Sequence, residues 1–285
     1  MEPAIQVESI EYAYGDKKAV RGISFEVAPG EVLGFLGPNG AGKSTTIKML
    51  TGQLVPAAGE IHILGLPVRG HSSEVHARMG VSFEEKNLYP QLSAVENLRF
   101  FARLFGVNKP NIDGLLEQVD LLARKKDRVS SYSKGMRQRL MIARALINDP
   151  AVLFLDEPTD GLDPVSAQAI RRIIRDRAKA GCAVLLTTHD MNEADKLSDR
   201  VAFINDGTIH AIDSPENLKL LHGTRSLAVR VRRDGKAEDL HLPLDGDGDI
   251  GARLKAAVER ADILTMHTEE ASLEDIFIAM TGRGL

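Results

Sequence analysis

The chain of 285 residues has one cysteine, no excess of basic charge and no apolar run of bilayer length. Each shortage excludes something. The single thiol, Cys182, cannot form an intrachain disulfide. Its place in the apolar run CAVLLTTH reads as a buried core thiol, in keeping with a reducing compartment. With 36 Lys and Arg against 40 Asp and Glu, the net charge is −4, whereas a nucleic-acid footprint is basic. No nucleic-acid partner is therefore expected. The longest clean apolar runs, such as AVLFL, have strand length, against about 20 residues for a membrane-spanning helix. The opening MEPAIQVESI is acidic and lacks the apolar stretch of a signal peptide, so the chain is expected to be soluble by itself. Internal repeats, sustained heptads and histidines at metal-ligand spacing are also missing. The run DGDGD has the look of a calcium loop, but the twelve-residue ligand pattern with its terminal Glu is absent, which leaves a surface turn.

What is present is a composition of 43% hydrophobic and 27% charged residues, enough for one large domain and a small one. AIQVESIEYAYG, GISFEV, GEVLGFLG and GEIHILG read as strands, with a helix from Lys43 to Gly52 between the last two. Residues 92–106 and 112–122 are amphipathic helices, and 136–147 is a third. AVLFLDEP and CAVLLTTH are buried strands flanking a helix over 164–180. Residues 191–197 are helical, and RVAFINDGTIH is a hairpin turning at 205–207. Apolar strands alternating with helices predict an α/β fold with a mostly parallel sheet covered on both faces. Near 222–223 the character changes. Two alternating strands, a helix over 250–260, a strand over 263–267 and a helix over 272–281 describe a small α+β unit, with a ferredoxin-like form as one expectation.

Three strand ends carry chemistry. GPNGAGKS matches G-x-x-x-x-G-K-[ST], follows a predicted strand and opens a predicted helix, the context this phosphate loop requires. Gly37, Pro38, Asn39, Gly40, Ala41 and Gly42 curl the backbone so that its N–H groups form an anion nest. Lys43 reaches the outer phosphates, Ser44 can hold Mg²⁺, and Thr45 and Thr46 continue the helix start at the nucleotide. AVLFLDEP ends a buried strand with two carboxylates. Asp156 suits a Mg²⁺ contact and Glu157 a general base for an attacking water. LLTTHD puts His189 at the end of the next strand, where an imidazole can hydrogen-bond a γ-phosphate. The π-face of Tyr14, in EYAYG, suits adenine stacking, although strand parity alone does not decide between it and Tyr12. One stretch is left over. In YSKGMRQRL, Ser133 and Gly135 open a helix in a way that also suits a phosphate, yet the phosphate loop is already complete.

Together and in this order, the phosphate loop, YSKGMRQR, LFLDEP, DGLD and TTHD resemble the ATP-binding subunits of ABC transporters over residues 1–220. YSKGMRQRL, TTHDMNEADKLSDRVAFINDG and SLEDIFIAMTG are closer still to the subgroup that drives ABC-2-type exporters. The resemblance implies a P-loop ATPase domain over 1–220, with a mostly parallel core, an antiparallel β subdomain and a helical subdomain over about 86–145. The accessory α+β domain would span 223–285. It also implies ATP and Mg²⁺ as cofactors and ATP hydrolysis as the activity. Two copies, or this chain and a paralogue, would pair head to tail. Ser133, Lys134, Gly135 and Met136 would then face the ATP held by the other subunit, and Asp163 would communicate across the interface. The second partner would be a separate integral membrane permease, placing the chain on the cytoplasmic face of the membrane. Part of the surface formed by Leu88, Tyr89, Leu98, Phe101 and Phe105 would receive that permease, with Leu88 and Tyr89 foremost.

Two departures from the family pattern stand out. Tyr132, Lys134 and Met136 replace the usual Leu, first Gly and Gln of the signature. Glu84 occupies the position of a metal-contacting glutamine, and a carboxylate there binds Mg²⁺ as readily as an amide. Two other functions share part of this pattern. A soluble ABC-type ATPase of translation or DNA repair would copurify with ribosomes or DNA. A small-molecule P-loop kinase would phosphorylate a metabolite and has no use for YSKGM or DGLD.

Overall fold

Period-2 burial on both sides of single strands sets the architecture of the larger part of the chain. The computed structural model describes residues 2–83, 88–223, 226–233, 236–244, 249–259, 261–269 and 271–282. They divide into two units, Met1–Asp213 and Ser214–Gly284.

In the first unit, strands β1 (Ile5–Tyr14), β2 (Lys17–Val27) and β3 (Val32–Leu36) lead into helix α1 (Lys43–Leu50). Strands β4 (Ala58–Ile63) and β5 (Leu66–Pro67), helix α2 (Ser72–Ala77) and strand β6 (Met79–Ser82) follow. Helices α3 (Ala94–Leu104), α4 (Ile112–Gln118) and α5 (Lys134–Ala145) come next, with 3₁₀ turns at Leu122–Arg124 and Val129–Ser131. Then come β7 (Val152–Asp156), α6 (Pro164–Lys179), β8 (Ala183–Thr188), α7 (Met191–Leu197), β9 (Arg200–Asn205) and β10 (Thr208–Asp213). A six-stranded sheet in the order β10-β9-β3-β8-β7-β6 is parallel except at β10. A second, antiparallel sheet runs β2-β1-β4-β5.

Leu153, Leu155, Val184 and Leu186 join one apolar cluster with residues of α3–α6. Their strand neighbours Val152, Phe154, Ala183 and Leu185 join another with α1 and the antiparallel sheet. Side chains alternate across a strand, so one sheet feeds two cores. Fully burying each of Phe35 and Phe154 stabilises the fold by about 1.5–3 kcal/mol.

Helix limits differ from the sequence reading where local chemistry intervenes. α5 starts at Lys134, two residues before 136, because the Ser133 hydroxyl accepts from the Met136 N–H at 3.2 Å and caps it there. α3 starts at Ala94, where Ser93 and Glu96 form a capping box. α4 stops at Gln118 rather than 122; soon after it, Asp120 turns the chain with φ 53°. The hairpin between β9 and β10 turns on Asp206 (φ 47°) and Gly207 (φ 77°), the two left-handed residues a tight twisted turn needs.

The second unit begins with α8 (Pro215–His222), whereas the change of character in sequence had placed the boundary after this helix. Strands β11 (Ser226–Arg233) and β12 (Lys236–Pro243), helix α9 (Ile250–Ala257), strand β13 (Asp262–Glu269) and helix α10 (Leu273–Thr281) complete it. The described strands form a three-stranded antiparallel sheet, β12-β11-β13, not the four strands of a ferredoxin-like unit. Leu218 of α8 and Leu273, Ile276 and Phe277 of α10 are buried.

Candidate active site

The phosphate loop joins β3 to α1. Its glycines answer two steric demands. Gly40 and Gly42 adopt φ 85° and 109°, which side chains resist. A Cβ on Gly37 would lie 2.0 Å from the carbonyl of Ile204, and one on Gly42 would lie 2.6 Å from that of Ala19. The neighbouring strands β9 and β2 therefore press on the loop and fix its curl. Lys43 is buried, donates from Nζ to the Gly37 carbonyl and sits 3.4 Å from Glu157 Oε1.

At the end of β7, Asp156 accepts from Ser44 Oγ at 3.3 Å and from the hydroxyl of Thr187. The next residue, Glu157, has φ 48°. This left-handed turn costs about 1–2 kcal/mol in a non-glycine residue and aims the second carboxylate at the same crevice as the first. Two bonds hold it there: the Glu157 N–H donates to Thr187 Oγ1 at 3.1 Å and to the Thr187 carbonyl at 3.2 Å. Its carboxylate then bridges Lys43 and His189, with His189 Nδ1 3.1 Å from Oε2.

The donor set suits a hard divalent cation. Ser44 Oγ and Asp156 Oδ1 face each other, and among the described residues no group of three or more His, Cys, Asp or Glu side chains is placed so that it could hold a metal ion. Mg²⁺ held by one or two protein oxygens takes its other ligands from substrate phosphates and water. Glu84, the further expected ligand, lies outside the described residues.

A cavity of about 240 Å³ opens along the loop, lined by Pro38, Asn39, Gly40, Gly42, Lys43, Ser44, Thr45 and Glu157, and by Tyr14, Lys17 and Ala19. Tyr14 is half exposed and borders the cavity, while Tyr12 packs against the core, their rings meeting edge-on at 5.0 Å. Exposure thus separates two tyrosines that strand parity did not. Gly37, Ala41 and Thr46 are buried behind the loop, and the Thr46 hydroxyl bonds back to the Gly42 carbonyl.

Three residues at the site went unremarked in sequence. Lys17 and Ala19 arrive from β2, and nothing local marks them. Thr187 was findable: two residues before His189 on the strand ending in TTHD, it is a hydroxyl on the buried face beside Asp156.

The leftover stretch lies away from this cavity. Ser133 caps α5, and Met136 packs against the core. A Cβ on Gly135 would lie 2.5 Å from Ser166 Oγ, so the turn presses on the start of α6. Asp163 caps α6, accepting from the Val165 and Ser166 N–H groups at 3.1 and 3.0 Å. Hydrogen bonds from Ser166, side chain and backbone, hold its carboxyl below the usual range.

Of the apolar residues expected to face a partner, Leu98 is fully buried and Leu88 packs against the core. Tyr89 and Phe105 are exposed, as are Phe100 and Leu104, which the sequence reading did not name. Phe101, Leu104 and Phe105 line a cavity of about 370 Å³ with the buried Arg144, whose guanidinium lies 4.9 Å over the Phe101 ring.

The sequence of residues 20–160 matches the family model described as ABC transporter. Over 284 residues the chain is 44% identical to a fluoroquinolones export ATP-binding protein of Mycobacterium tuberculosis, spanning 99% of this chain and 94% of the other. The chain belongs to the ABC transporter ATP-binding family. It is 39% identical over 302 residues to Nod factor export ATP-binding protein I of Paraburkholderia xenovorans, covering 99% and 98% of the two chains. Among solved structures, an ATP-binding subunit of an ABC transporter matches with TM-score 0.69 and 28% identity, covering 76% of this chain and 92% of that one. The cbiO1 subunit of Clostridium perfringens, part of the ABC transporter complex cbiONQ, matches with TM-score 0.70 and 28% identity over 78% and 92%. As an ABC-type ATPase, the protein binds and hydrolyses ATP. Among the described residues no helix is long and apolar enough to cross a membrane.

Proposed function

We propose that this ATPase powers export through a separate ABC-2-type membrane subunit, with two ATPase copies closing head to tail around two Mg·ATP. The two named relatives are both export proteins over nearly the full length of this chain, which supports the direction of transport. The observation that carries the pairing is the separation of two phosphate-suited sites. Lys43, Ser44, Asp156, Glu157 and His189 converge at one crevice. Ser133 and Gly135 belong to another surface, beside the start of α6. A second copy turned head to tail brings its Ser133, Lys134, Gly135 and Met136 onto this copy's ATP and completes the pocket.

Tyr14 stacks on the adenine. The loop residues 37–42 and the start of α1, Lys43 to Thr46, bind phosphates through backbone N–H groups and the Lys43 ammonium. Ser44 and Asp156 would hold a Mg²⁺ ion, which would supply charge neutralisation at the ATP phosphates. Glu157 orients and deprotonates the attacking water, and His189 hydrogen-bonds the γ-phosphate while its Nδ1 contacts Glu157. Asp163, exposed at the start of α6, relays between the two sites. Hydrolysis removes the bridging phosphate, and the copies separate, so closure follows the ligand. The exposed apolar surface of Tyr89, Phe100, Leu104 and Phe105 receives the membrane subunit at the cytoplasmic face of the membrane.

Copurification tests the export reading. A tagged chain drawn from detergent-solubilised membranes is expected to bring down one polytopic membrane protein and to lose it when Leu104 and Phe105 become Asp. Recovery with ribosomes or DNA instead contradicts it.

A further inference from the structure

Lys134 stands where the family signature has a glycine, and its side chain does not point into empty solvent. Its Nζ lies 3.6 Å from Asp160 Oδ2, and a Cβ on Gly161 would lie 2.0 Å from that same Nζ. Gly161 has φ 58°, so the loop before α6 leaves room for the ammonium by having no side chain there. The other oxygen of Asp160 lies 4.0 Å from His189 Nε2. His189 in turn contacts Glu157, and Glu157 contacts Lys43. Basic and acidic groups therefore alternate in one line, Lys134–Asp160–His189–Glu157–Lys43, from the signature turn to the phosphate loop of the same chain.

We infer that Asp160 is a positioning residue that ties Lys134 of the signature to the His189–Glu157 pair, so that each copy's signature senses one ATP and adjusts the chemistry at the other. The inference rests on the head-to-tail reading above. In the lone chain Asp160 shares its two oxygens between Lys134 and His189. When the γ-phosphate of the partner's ATP fixes the Lys134 ammonium, the Asp160 carboxylate paired with it is fixed as well. That carboxylate stands 4.0 Å from the His189 ring, whose Nδ1 is on Glu157, and so sets the tilt of the ring toward the γ-phosphate of this copy's own ATP. Lys134, Asp160 and His189 side chains are each close to half exposed, and exposed ion pairs add little to stability. The line acts through orientation, and stability measurements should not register it.

A double-mutant cycle on full-length protein tests this, using Lys134→Gln, Asp160→Asn and the pair. Steady-state ATP hydrolysis is measured over a range of ATP concentration, with thermal melting as the control. Each single substitution is expected to lower kcat by about 5–20-fold with KM changed less than about twofold, since positioning acts on the transition state. The double variant is expected to be no slower than the slower single, because both cut one line. All three should melt with the parent, and Asp160→Glu should recover most of the lost kcat. Multiplicative losses in the double variant, or losses that follow melting temperature, overturn the inference. ATP-driven dimerisation of Glu157→Gln is measured alongside. If that dimer never forms, the head-to-tail reading fails; if it forms and the losses multiply, only the coupling through Asp160 fails.

Discussion

Glu157 combines a strained backbone, φ 48°, with contacts to both Lys43 and His189. Replacing it with Gln keeps the shape and removes the proposed base. Turnover should fall by about 10²–10⁴-fold while ATP binding persists, measured as phosphate release against equilibrium nucleotide binding. Unchanged hydrolysis would exclude Glu157 as the base. A different residue tests the interior. Burial pushes the Cys182 thiol up to about 11. Thiolate is then scarce at pH 8, and alkylation of the native protein should be far slower than that of the denatured chain, as mass spectrometry can follow. Residue identity at the strand ends was legible because the phosphate loop, the paired carboxylates and the histidine each follow a buried run. Their mutual contacts were not. Thr187 to Asp156 and Lys134 to Asp160 join residues 31 and 26 apart in sequence; the pairing of β7 with β8 makes the first contact, and the packing of the α5 start against the loop after β7 makes the second.

Helices and turns carry the next set of expectations. Asp163 caps α6 with its carboxyl held below the usual range by the hydrogen bonds from Ser166. A depressed carboxyl contributes stability that is complete above its unfolded value of about 3.9 and is lost as pH falls through the folded value. Asp163→Ala should therefore melt below the parent at neutral pH, and the gap should close as pH drops beneath about 4. Just before α1, the Ala19 carbonyl of β2 fills the space beside Gly42, so Gly42→Ala should displace the loop and abolish nucleotide binding, read by titration with a fluorescent ATP analogue. Elements with strong local signals, such as the turn at Asp206 and Gly207 and the strand AVLFL, were readable at nearly their true limits. Others were trimmed by single residues: the hydroxyl of Ser133 extended α5 forward, and the turn at Asp120 followed an early end to α4. Leu98 looked like surface because it stands in an amphipathic run, yet its side faces the α3–α6 core.

Across the first unit, one mostly parallel sheet sets the three strand ends of the candidate site beside each other: β3 with the phosphate loop, β8 with His189 and β7 with the carboxylates. The alternation of apolar strands and helices predicted this sheet. The order β3-β8-β7 was not readable, because it depends on long-range pairing. The central claim belongs at this scale: one chain supplies half of each hydrolytic pocket. Mixing two crippled chains tests it most directly. Lys43→Ala should lack a working phosphate loop, and Ser133→Ala a working signature, so each alone should hydrolyse ATP poorly. In a mixed pair, the intact loop of the Ser133→Ala chain meets the intact signature of the Lys43→Ala chain. Phosphate release should therefore rise well above either variant when the two are combined. Activity that stays at the level of the separate variants at every mixing ratio, or a Ser133→Ala chain with full activity by itself, would contradict the account.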